Sequence, residues 1–273
     1  MNTLAFELRD STTLLRRDIL HSLRFPIMTI SGLIVPVFLL VLFVGIFGNT
    51  LHAGLGIGSL VGSHYIDYLT PGIILMAASS GAQATAVNVS LDMNEGFIAR
   101  LKTMAISRTS VLTGQVLGSL ARTLLSGVLV VATAIAIGFR PTAIPIEWLA
   151  AAGVFALFAL ALTWLSVAFG LVAKTPAGAN TMALIFVVLP FISSTYVPTD
   201  SMPGGVGWFA KNQPFTPVIE TLRGLLTGTS IGSSAIIACA WCIGLAVLGY
   251  LWARARYEHN PAQIRENSLF AAK

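Results

Sequence analysis

The sequence contains few charged residues. Asp, Glu, Lys and Arg together make up 10% of its 273 residues, whereas hydrophobic residues make up 55%. A soluble domain usually carries about 25% charged residues. The composition therefore excludes an ordinary soluble globular protein and indicates a chain that lies largely in a membrane.

The sequence also lacks the motifs of several enzyme classes. It contains no G-x-x-x-x-G-K-[ST] phosphate loop, no H-E-x-x-H zinc motif, no G-x-S-x-G elbow and no Cys/His cluster. Its two cysteines, Cys239 and Cys242, form a C-x-x-C pair inside an apolar segment, where helix packing explains them better than redox chemistry. We expect no catalytic residue, no metal and no cofactor in this chain.

Six apolar segments are long enough to cross the hydrocarbon layer of a membrane, which takes about 20 helical residues. They are 26–48, 70–91, 111–139, 148–173, 177–197 and 231–252. Their apolar residues are continuous and do not alternate, which favours helices over barrel strands. We predict an all-α integral membrane protein whose single six-span domain covers residues 26–254, followed by a cytoplasmic tail at 255–273.

The distribution of Lys and Arg sets the orientation of these spans. If the N-terminus is cytoplasmic, the inside segments hold twelve of these residues and the outside segments hold three, namely Arg140, Lys211 and Arg223. We expect a multi-pass protein of the cell membrane with both termini in the cytoplasm. The net charge of +5 then reflects this bias and attraction to anionic lipids, and no nucleic acid is needed as a partner.

Arg122 is the one charge inside an apolar segment, and two interpretations stay open. An intramembrane charge often marks an ion pathway. Alternatively, the third helix begins in the cytosol, and the Arg122 side chain extends to the inner interface.

Residues 1–25 contain a stripe of apolar side chains at helical spacing: Leu4, Leu8, Leu15, Ile19 and Leu23. This stripe, with arginines beside it, predicts an interfacial helix on the cytoplasmic leaflet. A disordered polar tail is the alternative. Pro71, after a loop that ends in Tyr65 and Tyr68, suits the first turn of the second span.

The charged segment 92–108 between the second and third spans is amphipathic. Phe97, Leu101 and Met104 share one helical face, while Glu95 and Arg100 lie on the rest. An ordinary solvated loop would need no apolar stripe. We therefore predict a short cytoplasmic helix whose apolar face contacts another protein.

No Asp, Glu or His lies in the interior of a predicted span. Carriers driven by protons or sodium usually keep such a group near the middle of the membrane. This absence disfavours a secondary carrier, and the lack of clustered nucleophiles disfavours an intramembrane enzyme. A stand-alone channel or secondary carrier stays the alternative to a transporter whose energy comes from another subunit.

Five segments together carry a family resemblance: Tyr65–Gly72, Glu95–Leu101 with Ile106–Thr109, Val197–Pro203, Asn212–Pro217 and Leu222–Leu225. In this order between six spans, they resemble the membrane permease of type II ABC exporters, specifically the daunorubicin-resistance-like drug exporters. The resemblance covers essentially the whole chain.

The resemblance implies a bacterial permease that dimerises with a like or different permease and pairs with two ATP-binding-cassette ATPase subunits, which bind ATP and Mg. It implies that the N-terminal helix is an elbow helix and that short re-entrant helices occupy 198–226 on the outside. Its cargo is a hydrophobic drug, lipid or glycolipid. The residues expected to couple this chain to the ATPase are Glu95, Gly96, Phe97, Arg100, Leu101 and Met104. Ala105 stands where family members often have proline, which leaves the end of this coupling helix open.

Polar residues in the second and fifth spans predict the cargo pathway. One chain of six packed helices leaves little interior, so we expect the route at the interface between two permeases. Apolar walls with a few polar groups suit amphipathic cargo, although such residues also serve helix packing. The candidates are Ser79, Gln83, Asn88, Asn180, Thr181, Ser193 and Ser194.

Overall fold

The computed structural model describes residues 26–47, 65–94 and 108–258, and every regular element within these ranges is helical. We number the α-helices of these ranges as α1 Pro26–Phe47, α2 Tyr65–Asn94, α3 Arg108–Ile137, α4 Pro145–Val172, α5 Pro176–Val188, α6 Gly204–Asn212, α7 Phe215–Thr227 and α8 Ser234–Glu258. A 3-10 turn over Leu189–Ile192 continues α5, and another covers Thr199–Ser201. The all-α prediction is confirmed for these ranges.

Helices α2 and α4 form the centre of the bundle. Helix α4 packs most extensively against α8 and α2, and α2 also contacts α5, α3 and α1. Glycines permit the closest approaches. A Cβ atom at Gly170 would lie 2.6 Å from Val89 Cβ, and one at Gly249 would lie 2.7 Å from the Leu165 backbone nitrogen. Because glycine has no side chain, the two helix backbones can approach closely. The resulting van der Waals contact favours association of apolar helices in lipid.

Four helices in the described ranges are long and apolar enough to cross a membrane. They cover Tyr65–Asn94, Thr113–Ile137, Pro145–Val172 and Ser234–Arg256. Two shorter apolar helices, Ile34–Ile46 and Pro176–Ile192, fall at the first and fifth predicted spans. A membrane protein is therefore supported, whereas the division into six spans stays a prediction because these two helices are short.

The second span begins differently from the prediction. Pro71 is the seventh residue of α2, because the helix starts at Tyr65. The prediction that Pro71 lies in the first turn of the second span is therefore wrong. Proline removes one helical hydrogen bond. The helix continues through it because Tyr65, Ile66 and Leu69 are buried in the core and hold the preceding turns.

The helix of the fifth apolar segment is shorter than the predicted range 177–197. It begins after Thr175, whose Oγ1 accepts a hydrogen bond from the Gly178 N–H at 3.1 Å. The α-helix stops at Val188, and the 3-10 turn that follows contains Pro190. Since proline cannot donate to the preceding turn, the backbone leaves the α-helix here, and residues 193–197 fold back as turns.

Helices α6 and α7 occupy the region where short outer helices are predicted. Helix α7 is amphipathic and buries one face, formed by Phe215, Val218, Ile219, Leu222 and Leu226. Its C-cap is Gly228, which adopts a left-handed φ of 71° and donates its N–H to the Gly224 carbonyl at 3.0 Å. The presence of short helices within 198–226 is confirmed, while their position relative to the membrane stays a prediction.

Several predicted elements lie outside the described residues. These are the N-terminal helix in 1–25, residues 95–107 of the coupling segment and residues 259–273 of the tail. The structure nevertheless fixes both ends of the coupling segment. Helix α2 includes Asp92 and continues to Asn94, and α3 begins at Arg108.

Candidate functional site

A side-chain hydrogen bond joins α2 and α5 at the protein surface. Gln83 donates from Nε2 to Oδ1 of Asn180 at 3.0 Å, and the contact is exposed. The two residues are 97 positions apart in the sequence, and both are among the predicted pathway residues. The structure therefore brings together one polar residue from each of the two helices that the sequence selects.

Asn180 begins an exposed stripe along one face of α5 and the 3-10 turn after it. The stripe consists of Asn180, Leu184, Val188 and Phe191, which follow one another at helical spacing. Its three apolar members are 45–47% exposed. We call this set the α5 stripe. It is an apolar surface with an amide pair near one end and an aromatic ring at the other.

The other predicted pathway residues of these helices are placed differently. Asn88 is exposed on α2, and Thr181 is exposed but donates its hydroxyl to the Ala177 carbonyl at 3.0 Å. Ser79 is buried and donates its hydroxyl to the Leu75 carbonyl at 3.1 Å. The seven candidates therefore do not form one continuous surface.

Ser193 and Ser194 lie in the buried turn that follows α5. Ser193 Oγ is 2.6 Å from the Pro190 carbonyl oxygen and 2.8 Å from Thr195 Oγ1. The Ser194 N–H donates to Thr216 Oγ1 at 3.4 Å. Both serines are 2% exposed or less, so they are buried within this turn, which the Ser194 N–H joins to α7.

A row of three aromatic rings meets the far end of the α5 stripe. Tyr196 packs against Phe43 of α1, at a centroid distance of 4.4 Å, and against Phe191, at 5.3 Å. The Tyr196 hydroxyl donates to Met76 Sδ at 2.8 Å, and Tyr65 donates to the Tyr196 carbonyl at 3.4 Å. Sequence reasoning missed this cluster because its members come from three distant segments and share no motif.

Arg223 of α7 connects three parts of the structure. Its guanidinium donates to the Ser194 carbonyl at 2.7 Å and to the Tyr68 carbonyl at 3.2 Å. Burial lowers the pKa of Arg223, while the neighbouring Tyr68 and Glu220 act in the opposite direction. Because arginine keeps its proton in proteins, a cation stays in this position. The sequence analysis identified Arg223 as a positive charge in an outside segment and as part of Leu222–Leu225, without indicating these contacts.

Helices α2 and α3 are held together by small and polar residues. A Cβ atom at Gly81 would collide with Thr123 Oγ1. One turn further along α2, the hydroxyls of Thr85 and Ser119 form a hydrogen bond. Near the end of α2, Gln115 Nε2 donates to Asp92 Oδ2 at 2.8 Å. These contacts lie one after another along the two helices, in the direction of the segment 95–107.

The expected ATPase-coupling residues fall within that segment. Glu95, Gly96, Phe97, Arg100, Leu101 and Met104 all lie outside the described residues. Their coupling role stays a prediction. Arg122 lies in the middle of α3, partly buried, and both interpretations of its charge stay open.

Within 26–47, 65–94 and 108–258, no group of three or more His, Cys, Asp or Glu side chains is placed to hold a metal ion. Cys239 and Cys242 are free thiols on α8, and Cys242 is buried. This arrangement offers no support for a metal or redox role of the C-x-x-C pair.

Comparison with known proteins places these features in context. A family model described as ABC-2 type transporter matches residues 10–227. The daunorubicin resistance ABC transporter permease protein DrrB1 of Streptomyces coeruleorubidus is 24% identical over 224 residues, which cover 82% of this chain and 74% of that protein. A probable doxorubicin resistance ABC transporter permease, DrrC of Mycobacterium tuberculosis, is 24% identical over 222 residues, or 81% of this chain and 78% of that protein. The putative transport permease ycf38 of Porphyra purpurea is 28% identical over 239 residues, or 86% and 80%.

Proposed function

Because this chain belongs to the ABC-2 type transporter family, we propose that it is the membrane permease of an ATP-driven exporter of hydrophobic or amphipathic cargo. ATP and Mg bind to a separate ATP-binding-cassette subunit, and this chain is not itself an enzyme. Two relatives are named for resistance to daunorubicin and doxorubicin. Their names support a drug as cargo, and a lipid or glycolipid fits the same apolar surface.

The placement of acidic residues supports an external energy source. In the long described helices, Asp67 and Glu147 occupy first turns, Asp92 lies in the last turn of α2, and Glu258 ends α8. None is near the middle of its helix, where a proton- or sodium-coupled carrier usually holds its titratable group. A stand-alone carrier is correspondingly less well supported than a permease that an ATPase drives.

The exposed amide pair is the observation that carries the proposed route. Gln83 and Asn180 make one hydrogen bond to each other, although each carboxamide has two donor hydrogens and an acceptor oxygen. Facing hydrocarbon, the remaining groups would be costly, since lipid tails offer no partners. A second permease or a passing cargo supplies such partners. The α5 stripe therefore faces the interface between two permeases in our proposal.

The proposed assembly contains two permeases, identical or different, and two ATPase subunits in a bacterial cell membrane. Each permease crosses the membrane six times, with both termini in the cytoplasm. Residues 92–108 contact the ATPase, and residues 198–226 lie at the outer surface. The positive-inside distribution of Lys and Arg supports this orientation, as does the family to which the chain belongs.

Transport in inverted membrane vesicles tests this proposal. The chain is co-expressed with a candidate ATP-binding-cassette subunit from the same genome, and ATP-dependent uptake of a fluorescent hydrophobic cation is measured. A matched control replaces the phosphate-loop lysine of the ATPase. We expect uptake only with this chain, ATP and the intact ATPase together. Uptake that is equal in vesicles with the control ATPase would contradict an ATP-driven permease.

A further inference from the structure

The buried face of helix α5 carries one bulky side chain. That face consists of Ala179, Ala183 and Phe186, and all three are almost completely buried. Alanine methyl groups form a smooth surface that lets a neighbouring helix approach closely. Because such a surface opposes sliding of the helix only weakly, the Phe186 ring is the part of this face that can fix the position of α5.

Phe186 is stacked on Phe169 of α4. The two ring centroids are 5.3 Å apart, and the ring planes differ by 14°. Phe169 also makes an edge-to-face contact with Trp252 of α8, at a centroid distance of 5.7 Å and an angle of 85°. Both distances lie in the range at which aromatic rings attract each other. The Phe169 ring therefore joins α5 to α8.

The same part of α4 packs against the end of α2 that leads into residues 95–107. Gly170, which follows Phe169, lies so close to α2 that a Cβ atom there would be 2.6 Å from Val89 Cβ. Val89 belongs to a small apolar cluster with residues of α3, α4 and α8, and Trp252 packs against this cluster. Phe169 thus stands between this cluster and α5.

We propose that Phe169 is a positioning residue for transport, which makes α5 move together with the ends of α2 and α8 that pack around the cluster. This inference rests on the proposed function, because it concerns how the α5 stripe follows the ATPase side of the permease. Leu184 and Val188 of the stripe are each two residues from Phe186. A displacement of the Phe169 ring therefore reaches the stripe through the stack. Without the stack, α5 can slide on its alanine face and the stripe no longer follows.

Three variants of α4 separate positioning of α5 from general stability. Phe169→Leu removes the ring and keeps an apolar side chain, whereas Phe169→Tyr keeps the ring. Phe155→Leu is the matched control. It removes a buried ring of the same helix that packs against α3, where a Cβ atom at Gly127 would collide with that ring.

The amount of ethidium taken up per ATP hydrolysed is measured in inverted vesicles that contain the full complex. We expect Phe169→Leu to lower this ratio about two- to tenfold, which is the usual contribution of an aromatic pair. Phe169→Tyr should keep the wild-type ratio. Phe155→Leu should also keep it, because a loss of folded protein lowers uptake and hydrolysis equally. A Phe169→Leu variant whose ratio matches that of Phe155→Leu would overturn the inference.

A distance measurement makes the test independent of transport. Spin labels are attached to Ile185→Cys on α5 and Leu149→Cys on α4, both of which are exposed positions. The full chain, with Cys239 and Cys242 replaced by serine, is diluted with unlabelled chain in lipid nanodiscs without ATP. Electron–electron resonance then gives the distribution of distances between the two labels.

We expect Phe169→Leu to widen or shift this distribution and Phe186→Leu to have the same effect, because either substitution removes the same stack. Phe155→Leu should leave the distribution at its wild-type width. If these results hold while the vesicles show no ATP-driven uptake, the positioning of α5 by Phe169 stands and only the proposed function fails. An unchanged distribution in Phe169→Leu overturns the inference.

Discussion

The Cζ atom of Arg223 lies 3.8 Å from the centroid of the Tyr68 ring. The same guanidinium donates to the backbone carbonyls of Tyr68 and Ser194. One side chain of α7 thus holds the first turn of α2 and the turn that follows α5. A planar guanidinium can make these contacts together, because its N–H donors point outward in one plane. An ammonium group has no such planar arrangement of donors.

We predict that Arg223→Met lowers the free energy of unfolding by about 2–4 kcal/mol, because the charge-assisted hydrogen bonds to the Tyr68 and Ser194 carbonyls and the ring contact are lost. Arg223→Lys should retain only part of the stability that Arg223→Met loses. Tyr68→Phe is the matched control, since it keeps the ring and the carbonyl that Arg223 contacts. Thermal unfolding in lipid nanodiscs measures all three variants. Equal stability of Arg223→Met and wild type would show that the connection is dispensable.

Gly170→Ala should destabilise the bundle by about 1–3 kcal/mol, as overpacking of a core usually does. The new methyl group would lie 2.6 Å from Val89 Cβ and 2.7 Å from the Ala86 carbonyl oxygen. Gly153→Ala in the same helix is the control, because a Cβ there meets nothing within 4 Å. It should be neutral or stabilising by up to about 1 kcal/mol. Similar melting temperatures for the two variants would argue against close packing of α2 and α4.

Cysteine cross-linking tests the position of the α5 stripe. In a chain whose Cys239 and Cys242 are replaced by serine, we expect Leu184→Cys to cross-link between permease subunits in native membranes. Leu184 is 47% exposed, whereas Ser79 is 1% exposed. Ser79→Cys should therefore give no link between subunits. If the Leu184→Cys variant stays monomeric on gels, the cargo route does not lie at a permease interface formed by the α5 stripe.

Leu101→Asp should uncouple ATP hydrolysis from transport or release the ATPase on purification. Burial of a leucine side chain contributes about 1.5–3 kcal/mol, and a carboxylate in its place would oppose binding. Thr103→Asp introduces the same charge off the Phe97, Leu101 and Met104 face and should have little effect. Co-purification of the ATPase and cargo-stimulated hydrolysis are the measurements. Identical behaviour of the two variants would exclude a contact through this face.

Export should not depend on a proton gradient. No acid lies near the middle of a long described helix, so the chain has no evident group there to couple proton movement to cargo. Uptake into inverted vesicles with ATP should therefore survive an uncoupler that collapses the gradient. A loss of uptake while ATP stays plentiful would instead favour a secondary carrier.

Continuous apolar runs made the helices of this chain predictable. The ends of those helices were harder to predict, and proline shows why. Proline typically marks a helix boundary, yet Pro71 lies within α2, because buried neighbours hold the turns before it. At Pro190 the α-helix does give way to a 3-10 turn. Whether proline ends a helix depends on tertiary packing that the local sequence does not contain.

The polar residues of the site were only partly predictable. Gln83 and Asn180 stand out because carboxamides are rare in apolar segments, and the structure pairs them. Ser193 and Ser194 are also polar residues of an apolar segment, but both are buried, and the Ser193 hydroxyl forms a hydrogen bond within its own turn. The row of Phe43, Tyr196 and Phe191 depends on the packing of α1 against the turn that follows α5. Periodicity within one segment does not reveal such a contact.

The attachment of α2 to α3 has a mechanical consequence. Each helix has 30 residues and is about 45 Å long. Since the contacts at Gly81, Thr85 and Asp92 fasten them side by side, they would tilt together as one rigid rod. A tilt of about 5° that starts next to residues 95–107 would shift the opposite end by about 4 Å. Tyr68 stands at that end, so such a tilt would change its distance from Arg223.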